Sequence, residues 1–297
     1  MSFCNLSITK KVHDELGQNI IDLSIIKMAV KNILVTGGNS GIGFALCKLL
    51  VRDHNCHVYL GSRSLQKGKM AVDTIKKEVA DKVDRIELIQ IDVCDKSSCL
   101  KASEFLASQG VKLYALVNNA GVGQGDPNLI MDTNFYGPKM VTEALVDFID
   151  PANGRIVNVS SGVASMWLQL QNDATKKLFS NSNVTFEELD RAVKANIDAQ
   201  NFPIVGNGYG LSKAALNCLT LIQAREHPNL LVTSLSPGFI DTPMTKGYGA
   251  KLTPEQGCVS SIKCLFGDVK SGCYYGSDGL RGPLTMYREP GMPEYEG

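Results

Sequence analysis

The stretch TGGNSGIG, from Thr36 to Gly43, decides the fold. It follows a β-branched run, Asn32 to Thr36, and opens a helical pattern, Ile42 to Val51. Glycines at such a strand-to-helix turn let backbone N–H groups and the positive end of the helix approach a pyrophosphate. The candidate cradle comprises Gly37, Asn39, Ser40, Gly41, Ile42 and Gly43, spaced GGxxGxG rather than GxGxxG. A glycine-rich turn with no ligand is the competing reading, and only its context discriminates.

Outward from this turn, short apolar runs alternate with helical patterns. The runs are Asn32 to Thr36, His57 to Leu60, Ile86 to Ile91, Tyr114 to Asn118, Arg155 to Ser160, Leu231 to Leu235 and Cys273 to Tyr275. Helical spacing marks Ile42 to Val51, Leu65 to Val79, Met131 to Ile149 and Gly208 to Glu226. This alternation predicts an α/β fold of the Rossmann type: a doubly wound, seven-stranded parallel sheet with helices on both faces, in a single domain. The expected divisions are an N-terminal extension over 1–30, a domain over 31–279 and a C-terminal tail over 280–297. An insertion over about 165–207 interrupts the domain. Within it, Thr185-Phe186-Glu187-Glu188 forms a capping box, and Phe186, Leu189, Val193 and Ile197 recur at helical spacing. The glycine- and proline-rich tail predicts an irregular strap or a loose end.

The 297 residues include 30 basic and 30 acidic side chains, so no long-range field favours nucleic acid or anionic lipid as a partner. The 9 cysteines form no CxxC and no regular framework, which reads as reduced thiols in a cytoplasmic protein. No run is long enough to span a membrane; the apolar cluster Ile20 to Ile26 is broken by Asp22 and Ser24. Residues 1–27 lack the apolar centre of a secretory signal, and Asp14, Glu15 and Asp22 argue against a transit peptide. Met28 is positioned to begin the compact domain.

In YGLSK, Tyr209 and Lys213 stand four apart and share one helical face, where an ammonium can favour the phenolate and lower the tyrosine's pKa. On an arbitrary helix such a pair is an ordinary surface couple. In LGSRS, the end of the second strand offers Ser62 and Arg63 where an acid would bind a ribose 2′-hydroxyl; a guanidinium suits a 2′-phosphate, favouring NADPH. His54, Cys56 and His57 cluster, but their spacing matches no common metal pattern and no metal site is expected.

TGGNSGIG, Asp92, NNAG from Asn118 to Gly121, Asn134 in TNFYG, Ser161 in VNVSS, YGLSK and Pro237-Gly238 together resemble the short-chain dehydrogenase/reductase family over roughly Lys31 to Gly279. The resemblance implies Tyr209 as general acid, Lys213 as its activator and ribose contact, Ser161 as holder of the substrate oxygen, and Asn134 as anchor of a proton-relaying water. It further implies that Asp92 and Val93 meet the adenine, that Asn118, Ala120 and Gly121 line the cofactor, and that Pro237, Gly238 and Thr242 contact the nicotinamide side. Ser160, on the opposite strand face from Ser161, is the structural hydroxyl of the two. Trp167 either anchors the insertion or walls the substrate pocket beside Ser161 and Tyr209.

Tyr209 follows Ser161 by 48 positions (209 − 161), where the common family pattern leaves only about a dozen. This resembles the monomeric carbonyl-reductase branch, in which an insertion covers helix faces used elsewhere for assembly. A monomeric NADPH-dependent reductase of a ketone, aldehyde or quinone is therefore expected. An oxidative alcohol or steroid dehydrogenase and a non-catalytic NADPH-sensing module are the alternatives.

Overall fold

The computed structural model describes residues 30–204 and 207–297. The expected extension therefore lies outside the described residues, apart from Val30. From Lys31 to Gly297 the chain is one compact unit.

Strand β1 (Lys31–Val35) has its last three residues fully enclosed, as a strand covered on both faces requires. It pairs in parallel with β2 (Cys56–Ser62) on one side and β4 (Ala115–Asn118) on the other. The remaining parallel strands are β3 (Ile86–Gln90), β5 (Arg155–Val159), β6 (Leu231–Leu235) and β7 (Tyr274–Tyr275). An eighth strand, β8 (Arg281–Gly282), pairs antiparallel with β7. The order β3-β2-β1-β4-β5-β6-β7-β8 carries out the expected doubly wound design and adds one strand to it. That strand comes from the tail, which is thus partly regular where an irregular strap or a loose end was expected. The order reverses between β1 and β4, so a crevice opens beyond their carboxyl ends, the location where open α/β sheets bind ligands.

Apolar residues fill both faces. On one side α1 (Gly41–Asp53), α2 (Leu65–Glu78) and α10 (Val259–Phe266) cover the sheet through Leu46, Leu50, Ile75 and Leu265. On the other, α3 (Lys96–Ser108) and α5 (Gly137–Leu145) contribute Leu106, Val141 and Leu145. The sequence reading did not name α3 or α10; Asp95 caps α3 by accepting from Ser97 N at 2.9 Å.

The expected single helix over Met131 to Ile149 is broken. It becomes α4 (Pro127–Met131), a π-turn over Asp132–Tyr136, α5 and a 3-10 turn over Val146–Phe148. The cause is Pro138, which supplies no N–H to the carbonyl four residues back, that of Asn134. The backbone accommodates the loss by widening at the π-turn.

In the insertion, α6 (Gly162–Gln169), α7 (Asp173–Phe179) and α8 (Phe186–Asp198) pack on α9 (Tyr209–Glu226), which is buried along most of its 18 residues. The capping box forms: Glu188 N donates to Thr185 Oγ1 at 3.2 Å and Thr185 N donates to Glu188 Oε2 at 2.8 Å. Leu189 and Val193 are fully buried against α9, while Lys139 of α5 lies 4.5 Å over the Phe186 ring.

Candidate active site

The glycine turn after β1 has the backbone its sequence demands. Gly37 and Gly41 adopt φ of 66° and 54°, where a side chain is strained. A methyl at Gly43 would lie 2.5 Å from Gly37 O, so these backbones approach as only glycine permits. Ser40 precedes α1 without making a side-chain cap, and the first turn of α1 carries no acid. That leaves a 13-residue helix whose N-terminus suits an anion. Thr36 and Asn119, which sequence reasoning passed over, fasten the turn to the NNAG segment. Thr36 Oγ1 accepts from Asn119 N and Ala120 N at 3.0 Å each, and Asn119 Nδ2 donates to Thr36 O at 2.8 Å. The NNAG motif itself was the available signal for Asn119.

Arg63 follows β2 with a largely exposed side chain, its Nε 3.9 Å from Asp92 Oδ2. Asp92 Oδ1 accepts from Cys94 N at 3.1 Å, and Val93 is buried beside it. Cation and carboxylate thus mark one corner of the crevice. Asn118 departs from its expected place: its amide does not line the crevice but lies buried. Asn118 Nδ2 donates to Thr142 Oγ1 at 3.2 Å and Asn158 Oδ1 at 2.9 Å, in a network joining β4, β5 and α5. Asn158 extends that network to Thr220 and Gln223 of α9 at 2.9 and 2.8 Å. Ala120 and Gly121 stay partly exposed at the crevice.

Beyond β6, Pro237 and Gly238 begin a loop that crosses back over the site. Gly238 has φ of 94°, and a methyl at Gly41 would meet Thr242 Cγ2 at 3.3 Å, so this loop reaches the start of α1. Ser236, also unforeseen, accepts from Gly162 N at 3.0 Å and Gly238 N at 3.2 Å. One hydroxyl therefore links the turn after β5 to the turn after β6.

At the reacting end, Ser161 caps α6 by accepting from Val163 N at 3.3 Å. Ser160 Oγ instead donates to Lys213 O at 3.1 Å, the structural part expected of it. Tyr209 opens α9, and the Lys213 ammonium lies 5.8 Å from its ring centre. Burial pushes the Tyr209 phenol above its usual value, opposed by the neighbouring Ser161 hydroxyl. Burial also lowers Lys213 to about 8. The expected depression of Tyr209 by Lys213 is thus not the dominant effect. Lys213 Nζ is directed to Val159 O at 2.8 Å, and Ser161 supplies the downward influence.

The Asn134 side chain is fully engaged. Its Oδ1 accepts from Val122 N at 2.8 Å, while Nδ2 donates to Val122 O at 2.8 Å and Ser212 Oγ at 3.0 Å. A relay at this residue must therefore use its main-chain carbonyl, the one that Pro138 leaves without its α-helical donor. The proline in TNFYGP was the readable signal. Trp167 takes the first of its two alternatives and not the pocket wall. It is 1% exposed, its ring centre is 5.4 Å from that of Phe179, and its Nε1 donates to Asn201 O at 3.2 Å. Among the described residues no group of His, Cys, Asp or Glu is arranged to hold a metal ion.

A glycine-lined crevice at the sheet's reversal, with Ser161, Tyr209 and Lys213 at its far end, defines a dinucleotide-dependent oxidoreductase of the doubly wound class. A model of the short chain dehydrogenase family matches residues 31–173. The chain is 31% identical to (+)-neomenthol dehydrogenase of Arabidopsis thaliana over 82% of its own length and 94% of that protein. It is 30% identical to human carbonyl reductase [NADPH] 1, covering 77% of this chain and 88% of that one. The solved structure of salutaridine reductase from Papaver somniferum superposes with a TM-score of 0.72 at 28% identity, over 82% of this chain and 99% of that one. The chain belongs to the short-chain dehydrogenase/reductase family.

Proposed function

We propose that this chain is an NADPH-dependent carbonyl reductase acting on a ketone, aldehyde or quinone, as a monomer in the cytoplasm. The observation that carries the reading is the convergence of Ser161, Tyr209 and Lys213 beside a glycine turn and an exposed Arg63. The cradle suits a dinucleotide phosphate: the N-terminus of α1 has neither a side-chain cap nor an acid in its first turn, and Arg63 suits a 2′-phosphate.

When bound, NADPH supplies hydride to the carbonyl carbon. The chain's own residues handle the charge that appears on oxygen. Ser161 Oγ holds that oxygen, and Tyr209, beside Ser161, gives it a proton. Lys213 steadies the phenolate left behind, and a water held by the Asn134 carbonyl returns a proton through Lys213. Phe239, Met244 and Tyr248, exposed on the loop after β6, supply an apolar mouth for the substrate. The insertion supports the monomer: α8 covers part of α9, and Tyr136 Oη donates to Asp190 Oδ1 at 2.6 Å to hold it there. Among the described residues no helix is long and apolar enough to cross a membrane.

The test follows NADPH oxidation against quinones, aldehydes, steroids and terpenoid ketones for the parent and Tyr209→Phe. The variant should lose about 10²- to 10⁴-fold in turnover while binding NADPH normally. Unchanged turnover would overturn the mechanism, and a stable tetramer on sizing would overturn the monomer.

A further inference from the structure

The tail after β7 returns to the site along one stripe of α6. Gly162, Ser165 and Gln169, three and four residues apart, face the same way on that helix. Each meets the tail. Ser165 Oγ donates to Pro283 O at 3.0 Å, and Tyr287 N donates to Gln169 Oε1 at 3.3 Å. The Tyr287 ring covers Gly162, where an added Cβ would lie 2.7 Å from its Cε2. Gly162 directly follows Ser161, so a partly exposed aromatic ring stands one residue from the hydroxyl that holds the substrate oxygen.

The ring's position is fastened from both sides. Arg288, next in sequence and almost enclosed, pairs with Asp278 in the turn between β7 and β8. Asp278 also accepts from Gly291 N at 2.9 Å and Leu280 N at 3.2 Å, and Arg288 donates to Met292 O at 2.7 Å. Burial raises the Asp278 carboxyl, but these donors outweigh it and hold the group below its usual range. The clasp therefore stays ionised at neutral pH. Through Gly162 N, bound to Ser236 Oγ, the ring also bears on the turn after β6.

We propose that Tyr287 is a specificity-determining residue of the carbonyl site. Its ring walls the substrate on the Ser161 side and admits carbonyl compounds by the bulk and flatness of the group flanking C=O. The proposal rests on the carbonyl-reductase reading above. It assigns the tail a part in substrate choice rather than in hydride or proton transfer.

The experiment compares the parent, Tyr287→Ala and Tyr287→Phe on a graded series of ketones, from small acyclic to bulky cyclic, with NADPH affinity measured alongside. Tyr287→Ala should shift the ratio of kcat/KM for bulky over small ketones by about tenfold, mainly through KM, with the NADPH dissociation constant within about twofold of the parent. Tyr287→Phe should restore the parent's ratio. A ratio unchanged in Tyr287→Ala, or one Phe fails to restore, overturns the proposal. Gly162→Ala, which must displace the ring, should reproduce the alanine variant's shift. Ketone binding to the enzyme with NADP⁺, read by titration calorimetry, needs no turnover. If the parent reduces no ketone, the carbonyl reading fails by itself. The tail proposal then stands only if Tyr287→Ala changes the bulky-to-small ratio of dissociation constants, and falls otherwise.

Discussion

Lys213 Nζ donates to the main-chain carbonyl of Val159 at 2.8 Å, tying the ammonium of α9 to the end of β5 inside the core. The bond fixes where the charge sits but does not replace the water it has lost, and burial lowers Lys213 to about 8.

A pH dependence follows. The unfolded chain keeps this proton up to about 10.4, whereas the folded chain releases it near 8. Between those values the unfolded state binds more protons, so stability rises with pH, by up to about 3 kcal/mol. Buried thiols such as Cys47, Cys218 and Cys258, whose pKa burial raises, pull the other way over the same range. The contribution of Lys213 is therefore read as a difference: from pH 7.5 to 10 urea denaturation should show the parent gaining stability relative to Lys213→Met, which should also be inactive. Parallel curves for the two proteins would show that the buried ammonium carries no such penalty.

Ser161 caps α6 and, in the proposed mechanism, also holds the substrate oxygen, two parts that substitution can separate. Ser161→Ala should lower turnover about 10²- to 10³-fold by removing the donor to the substrate oxygen. It should also cost about 1 kcal/mol by removing the cap of α6. Ser161→Asn retains a capping acceptor, so thermal melts should recover while steady-state rates stay low. Recovery of the rate with asparagine would place the catalytic hydroxyl elsewhere.

Gly121 separates Asn134 from Lys213. A methyl there would lie 3.1 Å from Asn134 Oδ1 and 3.5 Å from Lys213 Nζ, and Asn134 Oδ1 is already bound to Val122 N at 2.8 Å. Gly121→Ala should therefore lower kcat about tenfold and cost roughly 1 kcal/mol, read by steady-state kinetics and melting. A variant with the parent's kcat would show that this corner tolerates displacement.

Arg63 should govern cofactor choice. Arg63→Ala should raise the KM for NADPH about 10- to 100-fold and leave that for NADH within about twofold, because only NADPH carries the 2′-phosphate. Equal losses with both cofactors would reduce Arg63 to a general electrostatic contributor.

What the sequence made legible was local. The glycine turn, the seven parallel strands, the capping box at Thr185 and the YGLSK pair each lie within one element and its immediate context, where spacing maps directly onto geometry. What stayed hidden depended on distance along the chain. Asn134 braces Val122 and reaches Ser212 of α9; Asn118 turns into a network spanning four elements; Tyr287 meets Gly162. No periodicity encodes such meetings. The assumed coupling of Tyr209 and Lys213 failed for a related reason: four-residue spacing brings two side chains to one face but does not say which neighbour each will choose. The break at Asn134 had an overlooked local sign, the proline four positions on.

The two-residue β8 also has a consequence for solution behaviour. By pairing with β7 it blocks a sheet edge that would otherwise offer unpaired N–H and C=O groups to another chain. A chain cut before Arg281 would lose the ring over Gly162 and expose a sticky strand in the same event. Truncation should therefore appear first as aggregation, and only secondarily as altered substrate preference.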